Sequence, residues 1–197
     1  MGGHAKSVID SIESAGDLEI VGFIAPKEQE GYRGLKWLGD DSAAKELIKE
    51  GVDHAVICIG YMGDGEVREQ LYSELKSLGY TLPAIVDPTA AIADDAFIGE
   101  GSFVGKNAVV NSAATVGRMC IINSAAVVEH DCHIGDFSHI SVNATLCGNV
   151  NIGEGCFIGA GSTVIQGVSI GDHSLMGAGS IVLSDAGAKS RAWGIVK

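Results

Sequence analysis

Aromatic side chains are scarce in this sequence, at 6% of 197 residues, and there are only three prolines. With 28 glycines, that composition suits a tightly wound, repetitive backbone better than a core built on rings. No run of Lys or Arg interrupts a formal charge of −12, so the clustered cations that nucleic acid requires are missing. No apolar run approaches the roughly 18–20 residues of a membrane-spanning helix, and no charged-then-apolar leader opens the chain. Cys58, Cys120, Cys132, Cys147 and Cys156 show no C-x-x-C spacing. A reduced, cytoplasmic protein is the simplest expectation.

Two regions of different pattern meet near residue 87. In residues 1–87, segments 5–14, 42–51 and 65–79 carry apolar residues at helical spacing, and the last two stop at Gly51 and Gly79. Runs 19–25, 54–60 and 81–88 are β-rich. This alternation predicts a small parallel sheet of Rossmann type. The chain opens at MGGHAKSV, the Gly-rich turn and helix that ordinarily follow a first strand, so the sheet is expected to lack that strand.

From Ile92 the period becomes six. Sixteen residues in steps of six, Ile92 through Val182, are all aliphatic. Four residues after each lies a small side chain, never larger than Val, and Cys120, Cys132 and Cys156 occupy such positions. Gly follows the aliphatic residue in eight of the sixteen hexads, where a turn with positive φ is expected. Repeats of this kind define a solenoid. Three hexads make one triangular coil, so residues 88–197 are expected to form a left-handed parallel β-helix of five coils and a remainder.

Outward positions can be compared in columns three hexads apart. Glu100, Arg118, Asp136, Glu154 and Asp172 form a charged column, expected to be solvated. Lys106, Ser124, Val142, Ala160 and Ala178 carry no charge after the first, which marks a covered edge. The third column, Asp94, Ser112, His130, Gly148, Gln166 and Ser184, contains His130 within a segment that also holds Asp131, His133 and His139. Acyl transfer to an amine or hydroxyl needs a base near neutral pKa, and a carboxylate beside an imidazole fixes its tautomer. A zinc site made from the three histidines is an alternative of the same composition.

The leader, the repeat and the run EHDCHIGDFSHISVNA (129–144) together resemble the NeuD/PglD family of sugar acetyltransferases. The resemblance implies a homotrimer that moves acetyl from acetyl-CoA, used as co-substrate without a metal, to an amino or hydroxyl group of a nucleotide-linked amino sugar or sialic acid. It implies His130 as general base and Asp131 as its acidic neighbour. His139, Gly148, Ala160 and Ala178 would then meet the cofactor, and Gly2, Gly3, His4 and Asn123 the sugar substrate. The pantetheine arm is expected in a groove between adjacent β-helices. Ala25-Pro26 and Tyr61-Met62 depart from the family's acidic pair and Asn residues. The rival readings are a regulatory β-helix trimer without catalysis and a γ-carbonic-anhydrase-like zinc enzyme.

Overall fold

The computed structural model describes residues 1–60 and 65–197; Tyr61 and Met62 lie outside the described residues. The leader holds α1 (Gly3–Ala15), the short α2 (Ala44–Leu47) and α3 (Glu66–Leu78). α1 and α3 both end on a left-handed glycine, Gly16 and Gly79, whose N–H groups cap the last turn. The expected Rossmann sheet is reduced among the described residues to isolated parallel bridges, Phe23 to Trp37 and His54 to Thr81. No backbone hydrogen bond between described residues joins the 19–25 run to the 54–60 run. Among the described residues each run keeps a single bridging partner.

The remainder is a left-handed solenoid of about six turns. Among the described residues, nineteen two-residue strands build three parallel faces of seven, seven and five strands. Through most of the stack each strand pairs with the one three hexads on: Ile121 pairs with His139, and His139 with Phe157. The expected final leader strand belongs to this solenoid instead, because Ile85–Val86 pairs with Phe103–Val104. Val86 stands six residues before Ile92, so the repeat starts one hexad earlier, in a hexad disguised by Pro88. At the other end Arg191–Ala192 and Ile195–Val196 close the first and second faces.

The aliphatic positions fill the prism, and from Val104 to Val182 they are all but inaccessible to solvent. Each such side chain contributes roughly 1.5–3 kcal/mol by leaving water. Polar groups inside are matched. Ser138 Oγ donates to the Gly153 carbonyl at 2.8 Å and accepts from Cys156 N at 2.9 Å, tying its coil to the next. Cys120 and Cys156 donate to carbonyls one coil on, and burial pushes their thiols up to about 12 and about 11. They are packing groups, not nucleophiles.

The expected positive φ falls elsewhere in the hexad. It belongs to the residue three after the aliphatic one, including Asn107, Met119, Asp131, Phe137 and Asn143. The glycines directly after the aliphatic position serve close approach instead. A Cβ on Gly99 or Gly135 would lie 2.5 Å from the carbonyl carbon of the next coil's Gly117 or Gly153.

The charged column is not simply solvated, because α3 docks on it. Tyr72 donates to Glu100, Lys76 pairs with Glu100 at 3.1 Å, and the Arg118 guanidinium lies 5.5 Å from the Tyr72 ring centre. Beside it Met119 and Phe137 are buried with Leu75, Tyr80 and Leu82. That burial offsets the left-handed backbone at Met119 and Phe137, about 1–2 kcal/mol each. α1 packs through Val8 and Ile12 against Ile85, Phe103 and Ile121 on the first face. Among the described residues no helix is long and apolar enough to cross a membrane.

Candidate active site

Asp131 occupies the left-handed corner position, at φ 60°. Aspartate tolerates that conformation, and the turn folds its carboxylate back toward the preceding side chain. His130 Nδ1 and Asp131 Oδ2 are 2.8 Å apart, and both side chains are 60% exposed. Because an ionised carboxylate only accepts, Nδ1 carries the proton and Nε2 keeps its lone pair. The bond to Asp131, reinforced by the Asp131 and Glu129 charges, raises the His130 pKa above its ordinary value. Glu129 is itself held by Asn111, whose Nδ2 donates at 3.0 Å.

The imidazole stands over Gly148, one coil on. A Cβ at Gly148 would lie 2.5 Å from the His130 Cε1, so the missing side chain is what makes room for the ring. Gly148 therefore groups spatially with His130, on the edge following the second face.

His139 is on the first face, in the strand His139–Ile140, and is buried. Its ring meets Phe157 edge-on at 5.1 Å. Asn123 Oδ1 accepts from Ser124 N at 2.8 Å, which turns its Nδ2 toward His139 Nε2 at 3.2 Å. A donor facing Nε2 places the His139 proton on Nδ1. Asn123 and His139 are distant along the chain, and only the winding of the coil brings them together.

The leader adds His4 to this neighbourhood. Its ring packs edge-on to Phe103 at 5.3 Å. Burial, then the nearby His139 and Arg68 charges, lower the His4 pKa to about 4. His4 is thus neutral at physiological pH. Gly2 and Gly3 are exposed at the start of α1, and Gly2, at the N-cap, offers no side-chain cap to the first turn, whose N–H groups have no intrahelical partner.

The uncharged column is exposed in the single chain at Val142, Ala160 and Ala178. Ala160 and Ala178 sit in two stacked Gly-Ala-Gly triplets, 159–161 and 177–179, a signal visible in the sequence as the same triplet repeated three hexads on. A Cβ on Gly159 would collide with the Ala178 backbone, whereas one on Gly161 or Gly179 meets open space. The edge is thus a shallow, backbone-lined strip. Its start, Val142, follows the strand that carries His139.

The candidate residues form two groups. His130, Asp131 and Gly148 lie on the edge after the second face; His139, Asn123, Ala160 and Ala178 lie on or beside the first. His133 stands on the third face, within 2.7 Å of Thr115 Oγ1. The three clustered histidines of the sequence are thus dispersed around the prism. Among the described residues no group of three or more His, Cys, Asp or Glu side chains could hold a metal ion.

A three-faced parallel solenoid with a histidine–carboxylate pair on one edge and a backbone-lined strip on another defines the hexapeptide-repeat acyltransferase class. Comparison with known proteins narrows this. The PglD N-terminal domain matches residues 1–75, and the hexapeptide repeat of succinyl-transferase matches residues 96–129 and 149–184. Among solved structures, the chain is similar to a His-to-Ala mutant of GDP-perosamine N-acetyl transferase from Caulobacter crescentus in complex with CoA and GDP-perosamine. They share 32% identity over 98% of this chain and 90% of that one, with a TM-score of 0.93. It is also similar to the acetyltransferase domain of PglB from Neisseria gonorrhoeae, at 30% identity, 98% and 93% coverage and a TM-score of 0.92. The same domain in complex with acetyl coenzyme A gives 30% identity, 98% and 92% coverage and a TM-score of 0.89. The chain belongs to the NeuD/PglD-type family of hexapeptide-repeat sugar acetyltransferases.

Proposed function

We propose that this chain transfers acetyl from acetyl-CoA to the amino group of a nucleotide-linked amino sugar, with His130 as general base and no acyl-enzyme. The observation that carries the reading is the half-exposed His130–Asp131 pair, poised over Gly148. Nε2 takes a proton from the acceptor amine as its nitrogen attacks the thioester carbonyl. The carbon–sulfur bond then breaks, and the CoA sulfur leaves and is protonated. Asp131 stabilises the imidazolium formed in between. His139, oriented by Asn123, contacts the cofactor near the thioester. Ala160 and Ala178 contact the pantetheine arm, and Gly2 and Gly3 the phosphates of the sugar carrier. The similar structures that hold CoA, acetyl coenzyme A and GDP-perosamine support this choice of substrates.

Within one chain the base and the cofactor strip lie on different edges. A second copy must bring one to the other, and a homotrimer does so three times, since cyclic symmetry apposes two different edges in each of three identical grooves. The test is acceptor-dependent thiol release from acetyl-CoA across a panel of nucleotide amino sugars, with sialic acid included. Release with at least one nucleotide amino sugar is expected; release with none, or with sialic acid alone, refutes the acceptor class. Light scattering should return a trimer, and a monomer at micromolar concentration would remove the shared groove.

A further inference from the structure

The strip that begins beside His139 ends at an exposed tryptophan. Following the register upward, Phe157 pairs with Leu175, and Leu175 with Arg191, so Trp193 and Gly194 continue the column of Gly177 and Ala178. Trp193 is 65% exposed. Its indole lies against Gly177, where any Cβ would run into it. The ring is thereby seated on the wall of the solenoid, with a large apolar surface facing out.

Charge distinguishes the same place. The chain is strongly acidic, yet residues 186–197 contain no Asp or Glu and three cations, Lys189, Arg191 and Lys197. Among the described residues none of the three is in an ion pair, a property they share with Lys6, Lys27, Lys36 and Lys45; it is the lack of acidic residues in the segment that sets it apart. Arg191 and Trp193 are two residues apart on one short strand and its continuation, so both point outward from the same face.

Length connects this end of the strip to the chemistry. His139 to Arg191 is three coils, roughly 14 Å at about 4.8 Å per coil. The pantetheine arm, from thioester sulfur to diphosphate, reaches roughly 16 Å when extended at about 3.5 Å per three bonds. A thioester held beside His139, with its arm along Val142, Ala160 and Ala178, delivers its diphosphate and adenosine to the Trp193 end.

We infer that Trp193 is the platform on which the adenine ring of acetyl-CoA stacks, with Arg191 beside it for the phosphates. The inference rests on the acetyl-transfer reading above and extends it to a residue that selects CoA over shorter thioesters. Stacking on an indole is tolerant of ring geometry and strong for a purine.

The test compares two acetyl donors on the intact protein. Trp193→Ala should raise the KM for acetyl-CoA roughly 5- to 100-fold, the range of base–aromatic stacking, with kcat within a factor of two. The KM for S-acetylpantetheine, which has no adenosine, should not move, and Trp193→Phe should recover most of the loss. An unchanged KM for acetyl-CoA overturns the inference. So does an equal loss with both donors, or a loss of assembly in light scattering, either of which would make Trp193 a subunit contact. Binding is read separately by fluorescence. CoA and adenosine 3′,5′-bisphosphate should quench emission in the wild type beyond any quenching in Trp193→Phe. Quenching without acetyl transfer would leave the platform standing and the proposed reaction refuted; no excess quenching by either probe refutes the platform.

Discussion

His130 and Gly148 are locked in a steric relationship: the imidazole occupies the space that any side chain at Gly148 would need. Gly148 has no left-handed φ, so alanine is allowed there by the backbone. The exposed ring can swing away, so Gly148→Ala should leave the melting temperature within a few degrees. A base displaced by about 1 Å should nonetheless cost about 10²-fold in kcat. Thermal unfolding and steady-state kinetics on one preparation check both halves.

His130→Ala and His139→Ala should separate base from cofactor contact. The first should lower kcat by about 10²–10⁴-fold and leave acetyl-CoA affinity nearly unchanged, because the base acts on a proton in flight. The second should weaken acetyl-CoA binding as well as rate. Kinetics with acetyl-CoA titration distinguishes them. Wild-type turnover in His130→Ala on a confirmed acceptor would refute the site.

Asp131 supplies the pH dependence. A base works deprotonated, so kcat/KM should rise with pH through a pKa above the ordinary histidine value of about 6.5, because Asp131 favours the imidazolium. Asp131→Asn removes that charge. Its acid limb should move to lower pH, and its plateau should fall roughly tenfold or more, between wild type and His130→Ala. A pH–rate profile for both proteins decides it.

His4 should make the fold acid-sensitive. Its pKa is about 4 when folded and about 6.5 when unfolded. The unfolded chain therefore binds the proton more readily, and stability is full above about pH 6.5 and lost as pH falls toward 4. The loss should reach about 2–3 kcal/mol near pH 4.5, at about 1.4 kcal/mol per unit. Urea unfolding at pH 7 and 4.5 measures it, and His4→Gln should flatten the difference.

The solenoid could be read from the amino acids because its information is local. One inward aliphatic residue in six and one small residue four later are constraints each coil imposes on itself, and every coil repeats them. The same logic made the interior cysteines legible, since Cys120 and Cys156 sit where only a small group fits. His130 and Asp131 were legible as neighbours in the chain. Where the repeat was misread, one constraint had been mistaken for another. The glycines after the aliphatic positions answer to the next coil's backbone, and the left-handed corners are filled by residues such as Asn107 and Phe137.

Other features depended on contacts between segments with no shared period. α3 turns the charged column into a docking surface through Tyr72 and Lys76. The leader runs 19–25 and 54–60 had strand composition, but among the described residues they do not pair with one another, and pairing, not propensity, makes a sheet. Asn123 meets His139, and His4 approaches it from the other end of the chain, because the coil and α1 bring them there. The sequence by itself determined the solenoid and its core, both set by packing within a coil and against the next. Only the tertiary structure decided which histidines come near one another and that the uncharged edge runs up to Trp193, because those depend on how successive coils and the leader stack in space.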